Sequence, residues 1–146
     1  MDLTIPYVPS LPERLETMFS LINVAPGQKS VDLGSGDGRV VIEFAKKGLE
    51  AYGYEERADL VELAEMNIKK EKLEGRAFVF NKDFWQIDLS EFDVVTIYGI
   101  TGVMAKLEEK LEKELKPGAI FVSNGFRLPH WEPVAKFNFI YVYKKE

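Results

Sequence analysis

Apolar residues recur at two spacings along the chain, and segments with one spacing alternate with segments with the other. Short β-branched and aliphatic runs, typical of buried strands, separate longer segments in which apolar residues recur every three or four positions, as on one face of a helix. The predicted strands are 30–33, 51–55, 77–81, 92–98 and 119–123. The predicted helices are 13–22, 40–47, 58–71 and 104–115. The tail at 134–143 predicts one or two further strands, separated at Asn138.

This alternation predicts an α/β fold. We expect a doubly wound, mostly parallel sheet with helices on both faces and an antiparallel C-terminal edge. The run 92–98 is almost wholly apolar, which indicates a central strand buried on both faces. Because right-handed crossovers place the carboxyl ends of parallel strands on one rim, ligand chemistry is expected along that rim.

Three glycines spaced by single residues lie between the first predicted strand and the first predicted helix, in the run 31–39, VDLGSGDGR. Glycine is needed where the backbone takes a positive φ or approaches a ligand closely. The order strand, glycine loop, helix is typical of a nucleotide-binding βαβ unit. The alternative is a tight turn without a ligand, although such a turn needs only one or two glycines.

Acidic residues beside this loop favour a cationic ligand. A dinucleotide-binding loop follows G-x-G-x-x-G, whereas here Gly38 comes one residue early after Gly34 and Gly36, and no Gly-Lys-Ser/Thr closes a P-loop. Asp32 and Asp37 flank the loop, and their carboxylates would repel phosphate. They suit S-adenosylmethionine, whose methionine part carries an ammonium and a sulfonium.

Two further acids follow later strands. Glu55 ends the second predicted strand, about 20 residues after the loop, where a carboxylate can accept both hydroxyls of an adenosine ribose. Its alternative role is that of an ordinary acid at a helix start. Asp83 precedes Phe84 and Trp85, which predicts an acceptor for an adenine amino group beside an aromatic surface, with core or lid packing as the alternative for Trp85.

The exit of the fourth predicted strand, 98–102, is the expected wall of an acceptor site. Methyl transfer from a sulfonium requires mainly that a neutral nucleophile is aligned with the methyl carbon and desolvated. An amine acceptor must first lose a proton, and aromatic faces and carboxylates can hold its cationic form. The candidate catalytic residues are Tyr7, Tyr98 and Thr101. Further aromatic candidates for the wall, with core packing as the alternative, are Phe126 and Trp131.

Composition restricts the class of protein. We expect the 146 residues to form one domain, with a proline-bearing arm at 1–12. The chain has no cysteine, which excludes disulfides and thiolate metal sites and favours a cytoplasmic location; no metal site is expected. No apolar run approaches the ~20 residues of a membrane span. The net charge of −5, from 19 Lys and Arg against 24 Asp and Glu, makes a nucleic-acid partner unlikely.

The glycine loop, Glu55 and Asp83 together resemble the class I, seven-β-strand S-adenosylmethionine-dependent methyltransferases. Four segments are more narrowly similar to the archaeal broad-specificity protein-lysine methyltransferases and to their mitochondrial relatives, which methylate lysines of inner-membrane carrier and ATP-synthase proteins. These segments are 6–10, 31–39, 92–97 and 111–118. The similarity extends from Pro6 to the end of the chain, through Trp131 and Pro133.

The resemblance implies a Rossmann-like sheet and S-adenosylmethionine as cofactor. It assigns the methionine part of the cofactor to the acids and glycines of the loop, the ribose to Glu55 and the adenine to Asp83, with the arm around Tyr7 closing over cofactor and substrate. The cofactor-binding set is Asp32, Gly34, Ser35, Gly36, Asp37, Glu55, Asp83 and Phe84.

The resemblance also implies a protein-lysine N-methyltransferase, whose partner is a protein with an exposed lysine or, failing that, a small amine. The alternatives are a small-molecule or RNA methyltransferase on the same fold and a catalytically silent cofactor-binding subunit. The chain departs from the family pattern near the acceptor. Gly99 stands where the family has leucine, Met104 where it has asparagine, and Asn124 and Gly125 where it has histidine and an acid.

Overall fold

The computed structural model of the chain describes residues 12–99 and 101–146. The helices are α1 (Pro12–Ser20), α2 (Arg39–Lys46), α3 (Ala58–Lys70) and α4 (Thr101–Glu114). The strands are β1 (Lys29–Leu33), β2 (Glu50–Tyr54), β3 (Ala77–Phe80), β4 (Val94–Tyr98), β5 (Ile120–Asn124), β6 (Ala135–Phe137) and β7 (Ile140–Lys144). Each predicted element is present, with ends displaced by less than one helical turn. The largest displacement is at α4, which begins at Thr101 and so includes Gly102.

The strands form one seven-stranded sheet in the order β3-β2-β1-β4-β5-β7-β6. The first five are parallel to their neighbours, whereas β7 runs antiparallel to β5, and β6 antiparallel to β7. The prediction of a doubly wound, mostly parallel sheet with an antiparallel C-terminal edge is therefore confirmed. The strand order reverses between β1 and β4, which is the position where ligands bind in such sheets.

Helices lie on both faces of this sheet, as predicted. On one face α1, α2 and α3 pack around Phe44, whose ring lies 4.9 Å from that of Phe19. On the other face α4 buries Leu107 and Leu111 against β4, β5 and β7. Four consecutive residues of β4, from Val94 to Ile97, are buried, which confirms that this strand is central.

The connection from β3 to β4 is shorter than the other crossovers. Residues 81–93 contain a single turn of 3-10 helix, Phe84–Gln86, and no α-helix. The sheet surface over β2 and β3 opposite α2 and α3 is therefore covered only in part. Within residues 12–99 and 101–146, no helix is long and apolar enough to span a lipid bilayer.

Candidate cofactor and acceptor site

The glycine loop turns sharply over the carboxyl end of β1. Gly34, Gly36 and Gly38 all have positive φ, at 77°, 57° and 87°, and this left-handed conformation is costly for residues that carry a Cβ. The amides of Gly34 and Ser35 both donate to the carbonyl oxygen of Tyr54, at 2.9 and 3.1 Å. The loop is thus anchored to the end of β2 and leads directly into α2.

A fourth glycine, which the sequence interpretation missed, allows the loop to pack against β2. A Cβ at Gly53 would lie 2.6 Å from both Cβ and Oγ of Ser35 and 2.8 Å from Cγ2 of Val41. Only glycine fits this contact. A glycine inside a strand is itself a sequence signal for close approach of a neighbouring backbone.

Glu55 joins the second strand to the loop. One of its carboxylate oxygens accepts a hydrogen bond from the amide of Gly36 at 2.9 Å, and the other accepts from the amide of Arg57 at 3.0 Å. Asn81 donates from its side chain to the carbonyl oxygen of Glu55 at 2.9 Å and so fixes the turn after β2. A carboxylate has lone pairs for about four hydrogen bonds, so Glu55 has further capacity to accept from a ribose diol.

Asp32 is the buried acid of the site, with 7% of its surface exposed. The hydroxyl of Thr96, its neighbour on β4, donates to its Oδ1 at 2.7 Å. Burial raises the pKa of Asp32 to about 7; the bond from Thr96 opposes this shift, and the charge of Glu55 adds to it. A cationic ligand would favour the ionised carboxylate. The β1–β4 register brings Thr96 here, which the sequence interpretation did not anticipate.

Asp37 lies at the amino end of α2 and is also buried. Its carboxylate accepts from Nε of Arg39 at 2.9 Å, and its carbonyl oxygen accepts from the side chain of Asn67 at 3.0 Å. Arg39 is substantially exposed, so this ion pair is expected to be weak. Asp37 therefore anchors the loop to α3 through its carbonyl oxygen, while its carboxylate faces the guanidinium of Arg39.

Asp83 begins the 3-10 helix after β3. Its Oδ1 accepts from the amide of Trp85 at 3.0 Å, which caps the helix. Phe84 is buried and its ring lies 4.7 Å from that of Trp85. The predicted combination of a carboxylate and aromatic rings is therefore present after the end of β3. The helix cap uses one of the two carboxylate oxygens of Asp83.

Two charged residues of α4, unnoticed in the sequence, hold this segment in place. Nζ of Lys110 donates to the carbonyl oxygens of Ile87 and Trp85 at 2.6 and 3.3 Å. It also pairs with Glu114 at 2.8 Å, and Glu114 accepts from the amide of Leu89 at 2.9 Å. Only 10% of the Lys110 side chain is exposed. We call Lys110 and Glu114 the α4 clamp.

At the exit of β4, Tyr98 is half-buried and lies opposite Asn124 of β5. A Cβ at Gly99 would lie 2.8 Å from Sδ of Met104. The two departures from the family pattern at these positions are therefore in contact, and a leucine at position 99 would require a displaced or smaller residue at position 104. Tyr7 and the arm at 1–11 lie outside the described residues.

The two departures on β5 hold other parts of the rim together. Oδ1 of Asn124 accepts from the Arg14 guanidinium of α1, at 3.1 Å from Nε and 2.5 Å from Nη2. The amide of Gly125 donates to the carbonyl oxygen of Phe139 at 2.7 Å. Asn124 and Gly125 thus connect α1 and the β6–β7 hairpin to the end of β5.

The remaining aromatic candidates differ in exposure. Trp131 donates from its indole to Glu112 of α4 at 2.9 Å and packs against the core on that face, in agreement with the packing alternative. Its loop is held by Glu108, a buried carboxylate that accepts from the amides of His130 and Trp131 at 2.8 and 3.0 Å. Phe126 is 39% exposed.

Comparison with known proteins places this geometry in a family. Residues 32–135 match the model of the ANTKMT methyltransferase domain. The adenine nucleotide translocase lysine N-methyltransferase of Mus musculus is 40% identical over 136 residues, which are 92% of this chain and 59% of that protein. A protein-lysine N-methyltransferase of Saccharolobus islandicus (strain REY15A) is 38% identical over 131 residues, 88% of this chain and 81% of the archaeal one.

A solved structure agrees over nearly the whole chain. It is described as an RNA methyltransferase from Salinibacter ruber in complex with S-adenosyl-L-homocysteine, and it is 32% identical with a TM-score of 0.89, covering 94% of this chain and 93% of that one. This chain spans little more than half the length of the mammalian relatives that it matches. The chain belongs to the ANTKMT methyltransferase domain family.

Proposed function

We propose that this chain is an S-adenosylmethionine-dependent protein-lysine N-methyltransferase. The observation that supports this function most directly is the buried Asp32 carboxylate, which lies at the reversal of strand order beside Glu55 and a loop of three left-handed glycines. An acidic cradle of this kind favours a ligand that is cationic at one end and carries a ribose at the other. The mouse and archaeal relatives are both named lysine methyltransferases.

The residues of the cradle fit the cofactor part by part. In this proposal Asp32 and the loop 34–37 bind the methionine part, where the carboxylates attract the ammonium and sulfonium charges. Glu55 accepts from the ribose hydroxyls, and Asp83 with Phe84 forms the adenine end. When bound, S-adenosylmethionine supplies an electrophilic methyl group.

The acceptor enters beside the exit of β4. The chain needs no nucleophile of its own, because the lysine nitrogen supplies the electron pair that forms the new N–C bond while the methyl–sulfur bond breaks. The lysine ammonium first loses its proton to solvent. We propose Tyr98, Thr101 and Tyr7 as the residues that align and desolvate the amine, and a single domain spanning 1–146 with its arm at 1–12.

RNA is the second candidate acceptor, since the Salinibacter ruber structure is described as an RNA methyltransferase. The charge of this chain argues against RNA. Its net charge is −5, and three of its acids, Asp32, Asp37 and Glu55, lie together at the rim that carries the candidate site. Because binding of a phosphate backbone depends on Lys and Arg neutralising phosphates, a lysine-bearing protein is the better-matched acceptor.

The proposal is tested by incubating the chain with S-adenosylmethionine labelled in its methyl group and three acceptors: a lysine-rich protein, total RNA and a small primary amine. We expect label in the protein, at lysine residues identified by mass spectrometry. Label confined to RNA or to the small amine would refute the lysine acceptor. Binding of cofactor by calorimetry without transfer to any acceptor would identify a catalytically silent protein.

The placement of the cofactor is tested with Asp32→Ala. We expect this change to weaken cofactor binding about tenfold or more, because it removes a charge-assisted contact. Glu62→Gln, on the exposed side of α3, is the matched control and should leave binding unchanged. Equal affinity of Asp32→Ala and the control would contradict this placement.

A further inference from the structure

Four aromatic side chains form a continuous surface on the side of the sheet opposite α2 and α3. They are Tyr52 and Tyr54 of β2 and Phe78 and Phe80 of β3, which we call the aromatic ladder. Tyr52 lies opposite Phe78 and Tyr54 opposite Phe80, with ring centroids 5.2 and 5.6 Å apart and interplanar angles of 24° and 27°. Tyr52 and Phe80 are also stacked, at 6.4 Å.

The ladder is only partly covered. Parallel sheets normally have both faces covered by helices, but residues 81–93 provide one turn of 3-10 helix on this side. Phe92 packs edge-on against Tyr52 at 5.6 Å. Phe80 is 40% exposed and the other three rings are half-buried. The ladder therefore presents aromatic surface to solvent along two strands.

Carboxylates border this surface. Glu50 accepts a hydrogen bond from the Tyr52 hydroxyl at 2.5 Å, and this bond, with burial and the charges of Glu50 and Glu91, raises the pKa of Tyr52 to about 12. Burial and the charge of Glu91 also raise the pKa of Tyr54. Lys29 approaches Glu91 at 3.9 Å, but the two side chains are 35% and 61% exposed, so this pair neutralises the charge of Glu91 only weakly.

Aromatic rings beside carboxylates attract cations. Ring faces bind ammonium and guanidinium groups, and the neighbouring acids add Coulomb attraction. A nucleic-acid backbone would be repelled by Glu50 and Glu91, and an uncharged apolar segment would have to desolvate both carboxylates without a partner. The charge and chemistry of the ladder therefore match a segment that carries Lys and Arg.

We propose that the aromatic ladder, with Glu50 and Glu91, is a docking surface for a Lys- and Arg-bearing segment of the protein substrate. This proposal rests on the proposed function, because its partner is the methyl acceptor. The ladder reaches the cofactor rim at Tyr54, next to Glu55. Its nearer strand, β2, lies two strand spacings, about 10 Å, from β4, where the acceptor lysine enters. Docking there contributes to recognition of the substrate and leaves the methyl transfer itself unchanged.

The test separates docking from catalysis by using a probe that cannot be a lysine substrate. An arginine- and glycine-containing peptide without lysine is titrated into the full chain by calorimetry, without cofactor. Compared with the unchanged chain, we expect the double variant Glu50→Gln/Glu91→Gln to bind this peptide about tenfold more weakly and to lose most of its salt dependence. Glu62→Gln/Glu65→Gln, two exposed acids of α3, is the matched control and should bind as the unchanged chain does.

The second readout is methylation of a lysine-rich protein. The double variant should raise KM for that protein by a similar factor while kcat and KM for S-adenosylmethionine stay unchanged. The docking surface would be refuted if the double variant bound the peptide and the protein substrate as well as the unchanged chain does. It would also be refuted by an equal loss of peptide binding in the α3 control, or by preferential binding of an RNA oligonucleotide. Peptide binding that depends on Glu50 and Glu91, without any lysine methylation, would instead overturn the proposed function alone.

Discussion

Replacing Asp32 with asparagine should stabilise the folded chain at pH 8 while it weakens cofactor binding. The carboxyl is buried, and its pKa rises from 3.8 to about 7 in the folded chain. Each pKa unit corresponds to about 1.4 kcal/mol, so the ionised Asp32 costs the folded state about 4 kcal/mol of stability. Asparagine is neutral and can still accept the hydrogen bond from Thr96.

The size of this stabilisation depends on pH. Below pH 3.8 both the folded and the unfolded chain keep the Asp32 proton, and the penalty is absent. As the pH rises from 3.8 to about 7, the unfolded chain releases that proton while the folded chain retains it, so stability falls. Above the folded pKa the penalty is complete. The variant should therefore match the unchanged chain near pH 4 and exceed it by about 2–4 kcal/mol at pH 8.

The measurement is urea unfolding followed by circular dichroism at pH 4 and pH 8, with Glu62→Gln as the surface control. Calorimetry with S-adenosylmethionine at the same pH values measures the effect on cofactor binding. Because the cation favours ionised Asp32, cofactor affinity of the unchanged chain should fall below pH 7, by at most about tenfold per pH unit. The cofactor affinity of the Asp32→Asn variant should not change over this pH range. An Asp32→Asn chain that is no more stable at pH 8 would refute the reasoning.

Other substitutions probe the supports of the site. Lys110→Met removes the donor to the carbonyl oxygen of Ile87, so we expect KM for S-adenosylmethionine to rise about tenfold with little change in kcat. Gly53→Ala places a Cβ against Ser35. This change should lower the free energy of unfolding, measured in urea, by about 1–3 kcal/mol and should also weaken cofactor binding. Glu108 is buried, yet amide hydrogen bonds hold its pKa below 4.5, so Glu108→Gln should cost about 2 kcal/mol at pH 7. That difference should shrink in acid, as the native carboxylate is protonated.

The order of strands and helices was predictable because burying one face of each element requires a regular spacing of apolar residues. The near-continuous apolar run of β4 and the three- and four-residue spacing of α3 each require one kind of backbone to bury their side chains. The glycine loop was predictable for the same local reason, since positive φ restricts residue choice. Glu55 lies where its spacing from the loop suggested, bonded to the amide of Gly36.

Contacts between distant segments were not predictable in this way. The bond from Thr96 to Asp32 depends on the register between β1 and β4, and the α4 clamp joins residues 23 to 25 positions apart. Register and helix placement follow from packing of the whole sheet, which one sequence does not specify residue by residue. Gly53 is the exception, because a lone glycine inside a strand pattern indicates close approach.

The antiparallel direction of β7 places its last residues where the chain can be immobilised without covering the site. Lys144 lies opposite Ile120 at the start of β5, and the amide of Gly118 donates to the carbonyl oxygen of Lys145. The end of β7 therefore lies at the edge of the sheet remote from the glycine loop, whereas α1 contacts Asn124 through Arg14 at the loop's own edge. An affinity tag or sensor-chip linker attached after Lys145 would therefore leave the opening above the glycine loop facing bulk solution.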